Sequence, residues 1–133
     1  MTQSDHPQPG TITWWDLTVP NAAAVRDFYA QVVGWTSRDH PMGDYVDYDI
    51  RTPAGDKTVA GICHARGANA DIPPQWLPYI HVEDVEGAAG RCRDAGGEVV
   101  AGPRRMGPGM FCVIRDPAGA VAALYGPASD PVS

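Results

Sequence analysis

The pattern of hydrophobic and polar positions predicts that the first half of the chain forms a strand, a helix and three further strands. Residues 11–19 alternate in character and predict the first strand. Apolar residues then recur at helical spacing, and we expect this helix to end at Gly34, because glycine readily adopts the left-handed conformation of a C-terminal cap. Residues 35–39, 44–51 and 58–65 predict the other three strands. The apolar stripe of the helix, which we expect to face the core, consists of Val25, Phe28, Tyr29, Val32 and Val33.

The second half repeats this order of elements. Residues 76–83 predict a strand, and a helix with its own apolar stripe follows Asp84, a suitable N-terminal cap. We expect this helix to end at the glycine pair 96–97. Residues 102–109 contain two arginines among glycines and prolines, and they predict a basic, flexible loop. The last three strands are predicted at 98–101, 110–115 and 120–125.

A direct repeat supports the two-module organisation. Residues 42–55 match residues 106–119 at seven of 14 positions, without a gap and at an offset of 64. Each copy places an arginine, Arg51 or Arg115, before a Pro-Ala-Gly turn, in which proline fixes φ and glycine supplies a positive φ. We interpret the match as an internal duplication, and the repeated arginines as structural residues at strand ends. Because each half is too short to be stable alone, the two modules are expected to share a core, within one chain or by exchange across a dimer.

The composition indicates one soluble globular domain. The chain has 133 residues, of which 44% are hydrophobic and 20% charged. Its net charge of −6 argues against a nucleic-acid partner, because binding phosphate requires a basic surface. No apolar run approaches the roughly 20 residues of a membrane span, so no membrane partner is expected. The three cysteines predict neither a disulfide framework nor a CxxC site, and a cytoplasmic location is expected.

Three short motifs resemble those of one known family. The first helix carries a Phe-Tyr pair followed by a glycine, the second ends in Ala-Gly-Gly, and an Asp-Pro-x-Gly turn precedes the last strand. With the duplicated βαβββ order, these motifs make the chain resemble the vicinal oxygen chelate superfamily, which includes glyoxalases, bleomycin-resistance proteins, fosfomycin-modifying enzymes and extradiol dioxygenases. The residues that carry the resemblance are Phe28, Tyr29, Gly34, Ala95, Gly96, Gly97, Asp116, Pro117, Ala118 and Gly119.

The resemblance implies an α+β fold, in which two tandem βαβββ modules form half-barrel sheets around a ligand cavity. We expect one such domain over residues 10–126. Its parts would be module one at 10–65, a linker at 66–76 and module two at 77–126, with a flexible N-terminal lead-in at 1–9 and a polar tail at 127–133. The resemblance also implies a homodimer.

The usual metal site of the family falls on unsuitable residues here. The resemblance implies metal ligands on the first strand of each module and on the last strand, at positions occupied by Trp14, Leu77 and Ala123. None of these side chains binds a divalent cation, so we expect no metal cofactor. The alternative is a metal held by shifted ligands, for which the candidates are Asp16, His64 and His81.

Alternation along two strands selects the residues that the resemblance places around the cavity. One face of the first strand carries Trp14, Asp16 and Thr18. One face of the fifth strand carries Leu77, Tyr79 and His81. The aromatic rings would stack on a planar ligand, and Asp16 and His81 would orient it or act as an acid/base pair. The plainer alternatives are core packing for Trp14, a strand-end cap for Asp16 and a solvated strand end for His81.

Five further residues in the strands invite an interpretation. Tyr48 and Cys112 are equivalent in the repeat and are candidate ligand contacts, although the sequence leaves open whether they face the cavity or the helices. Gly61 within a strand predicts a bulge or a close backbone approach. Cys63 and His64 are neighbours in a strand, point to opposite faces, and are therefore not expected to form a nucleophile–base dyad.

Three functions remain open from the sequence. The first is a metal-free protein that binds a small, planar or aromatic organic molecule in the cavity. The second is an enzyme of the same superfamily, either a lyase or dioxygenase with shifted metal ligands, or a metal-free isomerase or lyase that uses Asp16 and His81. The third is a non-catalytic interaction module, whose cavity would be filled by its own side chains.

Overall fold

The computed structural model describes residues 7–128 and has the predicted order of elements, βαβββ twice. Most of the expected lead-in (residues 1–6) and most of the tail (129–133) lie outside the described residues. The first module contains β1 (Ile12–Val19), α1 (Ala22–Val33), β2 (Thr36–Pro41), β3 (Val46–Arg51) and β4 (Thr58–His64). A 3-10 turn (Gly67–Asn69) lies in the linker. The second module contains β5 (Trp76–His81), α2 (Val85–Asp94), β6 (Glu98–Met106), β7 (Gly109–Arg115) and β8 (Val121–Pro127).

The two modules have the same strand topology, as the duplication predicts. In the first module the strands follow the order β2–β3–β4–β1, and in the second the order β6–β7–β8–β5. The first and last strands of each module are parallel, and the other pairs are antiparallel. The chain groups into two compact units, one of them Trp14–Leu77 and the other formed by the chain before and after it. The protein is therefore an α+β protein built from two βαβββ modules.

Helix α1 ends as predicted but buries less of its apolar stripe than expected. Gly34 has a φ of 83° and its N–H donates to the Ala30 carbonyl, which closes the helix. Val25 and Tyr29 pack against the sheet, but the other three stripe residues are exposed. The expectation that they face the core is wrong, because the side of the helix that packs against the core cluster carries Ala22, Val25 and Tyr29 instead. The exposed stripe residues are Phe28, Val32 and Val33.

Helix α2 follows its prediction closely. The Asp84 carboxylate accepts a hydrogen bond of 3.1 Å from the Gly87 N–H, so Asp84 is the N-terminal cap. Val85 and Ala89 are buried, and they pack with Leu124 of β8. Within residues 7–128, no helix is long and apolar enough to cross a membrane.

The basic loop predicted over residues 102–109 is largely a strand. Strand β6 extends to Met106, and Arg104 and Arg105 pair with Phe111 and Met110 of β7. The Arg104 guanidinium lies 4.8 Å from the centre of the Phe111 ring. The prediction was wrong because irregularities in the β6–β7 register accommodate a glycine and a proline that normally interrupt a strand.

The repeated arginines lie at strand ends, but they make different contacts. Arg51 donates from Nε to the Gly55 carbonyl at 2.8 Å and from a terminal nitrogen to the Thr58 hydroxyl at 3.0 Å. Arg115 instead forms an ion pair of 2.8 Å with Glu98. The structural interpretation of both residues is confirmed, since each arginine ties its strand end to a neighbouring segment.

Candidate functional site

Asp16 lies in the middle of β1 and contacts two other polar side chains. Its Oδ1 accepts a hydrogen bond of 3.0 Å from the Trp14 indole Nε1, and its Oδ2 accepts one of 3.5 Å from the Cys63 thiol. All three side chains are half-buried. The alternative of a strand-end cap for Asp16 is therefore wrong. A carboxylate at this depth requires partners, and Trp14 and Cys63 provide them.

Gly61 of β4 provides the space for this carboxylate. Asp16 and Gly61 are paired in the parallel register of β1 and β4. A Cβ atom at Gly61 would overlap Asp16 Oδ1 and would lie 3.6 Å from the Trp14 ring. The group that approaches Gly61 closely is therefore a side chain, and not the backbone that the sequence predicts.

The polar residues of β1 and β4 form one surface of the first module. Thr18 is buried and pairs with Cys63 in the same register. The opposite surface of β1 carries Leu17 and Val19, which pack in one cluster with Ala22 of α1. We call the surface opposite α1 the Asp16 face; it consists of Trp14, Asp16, Thr18, Gly61 and Cys63.

Cys63 is not an activated thiol in this setting. Burial raises the pKa of the Cys63 thiol well above its usual range, and the negative charges of Asp16 and Asp47 raise it further. His64 also contacts Asp47, because Asp47 Oδ1 accepts the His64 backbone N–H at 2.9 Å and lies 3.2 Å from its Nδ1. Asp47 thus interacts with both neighbours, and Cys63 stays protonated near neutral pH.

The predicted residues of the second module are buried. Tyr79 has its ring 5.6 Å from that of Phe111. His81 ends β5 with 8% of its surface exposed, and its Nε2 lies 3.4 Å from a Glu83 carboxylate oxygen. The alternative of a solvated His81 is therefore wrong. Leu77, which is the last residue of the compact unit Trp14–Leu77, is also buried.

Tyr48 and Cys112 face the helices of their own modules. The Arg26 guanidinium of α1 lies 4.5 Å from the centre of the Tyr48 ring. Cys112 is fully buried and packs with Val85 and Ala89 of α2. The question that the repeat left open is answered, and neither residue belongs to the Asp16 face.

The residues at the family's usual metal positions do not fit a metal ion. The Trp14 indole nitrogen only donates, and it already donates to Asp16. Leu77 and Ala123 are buried apolar side chains. Within residues 7–128, no group of three or more His, Cys, Asp and Glu side chains is arranged to hold a metal ion.

A pocket in the compact unit Trp14–Leu77 was not predicted from the sequence. It has a volume of about 330 Å³. We call it the tryptophan pocket; its lining residues are Trp15, Trp35, Val59, Ala60 and Trp76. Alternation places Trp15 on the face of β1 opposite Trp14, but the three tryptophans come from distant segments. The only available signal was the presence of four tryptophans in 133 residues.

The chain belongs to the glyoxalase/bleomycin resistance protein/dioxygenase superfamily, whose family model matches residues 10–124. This confirms the resemblance inferred from the motifs. A similar structure is that of a methylmalonyl-CoA epimerase variant from Streptomyces coelicolor, with a TM-score of 0.53 and 16% sequence identity, covering 92% of this chain and 100% of that one. At this identity the similarity concerns the fold alone.

Two curated relatives carry names that refer to function. CFP32 of Mycobacterium tuberculosis, whose name assigns it only provisionally as a glyoxylase, is 32% identical over 118 residues, covering 87% of this chain and 45% of that protein. The anthracycline biosynthesis protein DnrV of Streptomyces peucetius is 32% identical over 133 residues, covering 88% of this chain and 47% of that protein. The chain thus spans about half the length of the curated relatives it matches.

Proposed function

We propose that the protein binds a small, planar or aromatic organic molecule at the Asp16 face, without using a divalent metal ion. The observation that carries this proposal is the 3.0 Å hydrogen bond by which Asp16 orients the Trp14 indole. It places a flat apolar surface beside a carboxylate on the side of the sheet opposite α1. Both side chains are half-buried, so both retain surface for a ligand.

The chemistry of the Asp16 face suits a ring that carries hydroxyl groups. The Trp14 ring offers a stacking surface, and the Asp16 carboxylate accepts hydrogen bonds from donors on the ligand. The protonated Cys63 thiol donates to Asp16 and does not attack the ligand. These groups can bind and orient a molecule, and none of them is an activated nucleophile.

The name of one relative agrees with this ligand class. DnrV is named for anthracycline biosynthesis, and anthracyclines contain a planar system of fused rings with hydroxyl groups. From this name we take only the expected class of ligand for this chain, which is planar rings that carry hydroxyl groups. Tyr79 and His81 remain proposed ligand contacts of the second module.

An enzyme that works by acid/base chemistry is the second candidate. It is favoured by the half-exposed Asp16 carboxylate, which can accept a proton from a bound molecule. Incubation of the ligand with the protein, followed by chromatography of the recovered compound, separates the two functions. Unchanged compound supports binding alone, and a new product that depends on Asp16 supports the enzyme.

A titration with the hydroxyanthraquinone emodin tests the proposed function. The Asp16→Asn variant removes the charge but retains one oxygen, which can still accept from the Trp14 indole, while its NH2 group can donate to the Cys63 sulfur; the fold should therefore persist. We expect this variant to bind emodin about tenfold more weakly than the wild type, because hydrogen bonds to a charged group are the stronger ones. Asp27→Asn, on an exposed residue of α1, is the matched control and should bind like the wild type. Equal affinity of Asp16→Asn and wild type would contradict the proposed site.

We also propose that the protein forms homodimers, as the family resemblance implies. The exposed apolar side chains of α1 support this proposal, since a second copy would remove Phe28, Val32 and Val33 from water. Light scattering after size-exclusion chromatography tests it. The wild type should have the mass of two chains and Phe28→Glu that of one, whereas a monomeric wild type would contradict the proposal.

A further inference from the structure

We propose that the tryptophan pocket is a second binding site, which takes an uncharged aromatic ring system of one or two fused rings. It is separate from the Asp16 face and goes beyond the proposed function. Trp14 and Trp15 are neighbours in β1, so their side chains point to opposite faces of the sheet. Trp14 bonds to Asp16, whereas Trp15 lines the pocket with Ala60. A ligand in the pocket therefore does not touch the Asp16 carboxylate.

Ring contacts hold the walls of the pocket in place before any ligand binds. Trp35 and Trp76 meet edge to face, with ring centres 5.8 Å apart and an angle of 77°. Tyr29 lies behind them, with its ring centre 5.3 Å from Trp35 and 5.6 Å from Trp76. The Trp35–Trp76 and Tyr29–Trp76 pairs are edge to face, which is favourable at these distances. The indoles of Trp35 and Trp76 therefore have little freedom to collapse into the pocket.

The position of Trp35 follows from the helix end that precedes it. Gly34 turns the chain in the left-handed conformation immediately after α1, and Trp35 is the next residue. A Cβ at Gly34 would lie 3.5 Å from Pro53 of the turn after β3. The cap that closes the helix thus also fixes one wall of the pocket.

The polar atoms at the pocket indicate what kind of ligand it accepts. The Trp76 indole nitrogen donates a hydrogen bond of 3.0 Å to the Tyr29 hydroxyl, so this donor is already used. Val59 and Ala60 are apolar. An anionic group would lose its hydration here without gaining a cationic partner, which disfavours an anionic ligand. Flat indole walls favour a flat ring over a saturated one.

The dimensions of the pocket limit the ligand. A volume of about 330 Å³ is at the lower end of the range for small-molecule pockets, which suits one or two rings. Trp15 retains 43% of its surface exposed, so the pocket has an open side through which a ligand can enter. An exposed tryptophan beside an apolar pocket is a feature of binding surfaces.

A spectroscopic titration with naphthalene tests the site directly. The probe is neutral and planar, has two fused rings and carries no hydroxyl group for the Asp16 carboxylate. Protein labelled with 5-fluorotryptophan gives four fluorine signals, one for each tryptophan, which Trp→Phe variants assign. We expect naphthalene to shift the signals of Trp15, Trp35 and Trp76 and to leave that of Trp14 unchanged. No shift, or a shift led by Trp14, would overturn the proposal.

Variants and analogues give the second part of the test. Trp15→Ala should weaken naphthalene binding about tenfold, because it removes one aromatic wall. Met42→Ala is the control, since Met42 is 42% exposed and lies outside the pocket lining; it should bind like the wild type. The charged analogue 2-naphthalenesulfonate should bind at least about tenfold more weakly. Equal affinity of Trp15→Ala and wild type, or of the two compounds, would contradict the proposed site.

Asp16→Asn distinguishes this inference from the proposed function. If both proposals hold, this variant binds emodin weakly but responds to naphthalene like the wild type. Loss of the naphthalene response in Asp16→Asn would show that the pocket is not an independent site. A normal naphthalene response in a protein that does not bind emodin would overturn the proposed function and leave the pocket supported.

Discussion

Gly61 of β4 lies opposite Asp16 of β1, and the space left by the missing glycine side chain holds the Asp16 carboxylate. The pairing follows from the parallel register of the two strands. From this position Asp16 accepts hydrogen bonds from Trp14 and Cys63. The Asp16 face therefore depends on a residue that has no side chain of its own.

The first prediction concerns Gly61→Ala. The added methyl group would overlap Asp16 Oδ1, so the carboxylate must move and its two hydrogen bonds must weaken. We expect the free energy of unfolding in urea to fall by about 1–3 kcal/mol, as for other substitutions that overpack a closely packed site. Emodin binding should weaken at the same time, because the Trp14 ring loses the group that orients it.

Gly90→Ala is the matched control for this prediction. Gly90 lies within α2, and a Cβ there would meet no atom within 4 Å. Alanine should stabilise the helix by about 0.5–1 kcal/mol, because it is the better helix former. If Gly61→Ala were as stable as Gly90→Ala, the close packing of Asp16 against β4 would be wrong.

The second prediction concerns the reactivity of Cys63. Because burial and two nearby carboxylates raise the pKa of its thiol, Cys63 should react with iodoacetamide at pH 8 far more slowly than N-acetylcysteine does. Asp16→Asn removes one negative charge and should increase the rate, although burial should still keep it below that of N-acetylcysteine. Peptide mapping by mass spectrometry measures both rates. Labelling of wild-type Cys63 as fast as the free compound would contradict the environment described.

The raised pKa of the Cys63 thiol also predicts how the stability of the protein changes with pH. The pKa of Cys63 is raised in the folded protein, so folding favours the protonated thiol. Its contribution to the unfolding free energy is present below the pKa of an unfolded cysteine, about 8.5, and is lost as the pH rises above that value. Urea denaturation between pH 7 and pH 10 should therefore show a smaller loss of stability for Cys63→Ala than for the wild type. A larger loss of stability in Cys63→Ala than in the wild type would contradict the raised pKa of Cys63.

The third prediction concerns the hydrogen bond behind the tryptophan pocket. Tyr29→Phe removes the acceptor of the Trp76 indole N–H, and the half-buried donor loses its partner. The unfolding free energy should fall by about 1 kcal/mol. Tyr45→Phe is the control, because it retains the ring that lies 4.0 Å from the Arg66 guanidinium. The control should change stability by less than about 0.5 kcal/mol, and equal effects of the two variants would argue against a role for the Tyr29–Trp76 bond.

The fourth prediction compares the two arginines of the repeat. Arg51 makes two hydrogen bonds across its turn, one of them to a backbone carbonyl, and Arg51→Ala should cost about 1–2 kcal/mol. Arg115 forms a surface ion pair, and Arg115→Ala should cost less than about 1 kcal/mol. Chemical denaturation of both variants measures the difference. A greater loss in Arg115→Ala than in Arg51→Ala would contradict the contacts described for the two arginines.

Local signals in the sequence predicted most of the fold. The repeat gave the two modules, Gly34 and Asp84 gave helix ends, and alternation gave the faces of β1, since each of these depends on residues close together in the chain. The failures have equally specific causes. Phe28 has helical spacing but does not lie on the side of α1 that packs against the core cluster, and the strand pairing of Arg104 with Phe111 overrides the local preference for a loop.

The candidate site was less predictable, because contacts between distant residues define it. Alternation placed Trp14 and Asp16 on one face, but only the register of β1 with β4 brings Cys63 and Gly61 to them. The tryptophan pocket joins residues 15, 35 and 76, which no local pattern connects. Alternation also cannot tell which side of a strand a helix covers, and for this reason the orientation of Tyr48 had to come from the structure.

The most direct test of metal-free binding at the Asp16 face is an isothermal titration of emodin into protein treated with EDTA and desalted. We expect binding with the same affinity as in untreated protein, and no increase when Mn²⁺, Ni²⁺ or Zn²⁺ is added back, because Trp14, Leu77 and Ala123 offer no metal ligands. Binding that disappears with EDTA and returns with one of these ions would contradict the proposal. It would indicate that shifted ligands hold a metal that takes part in binding.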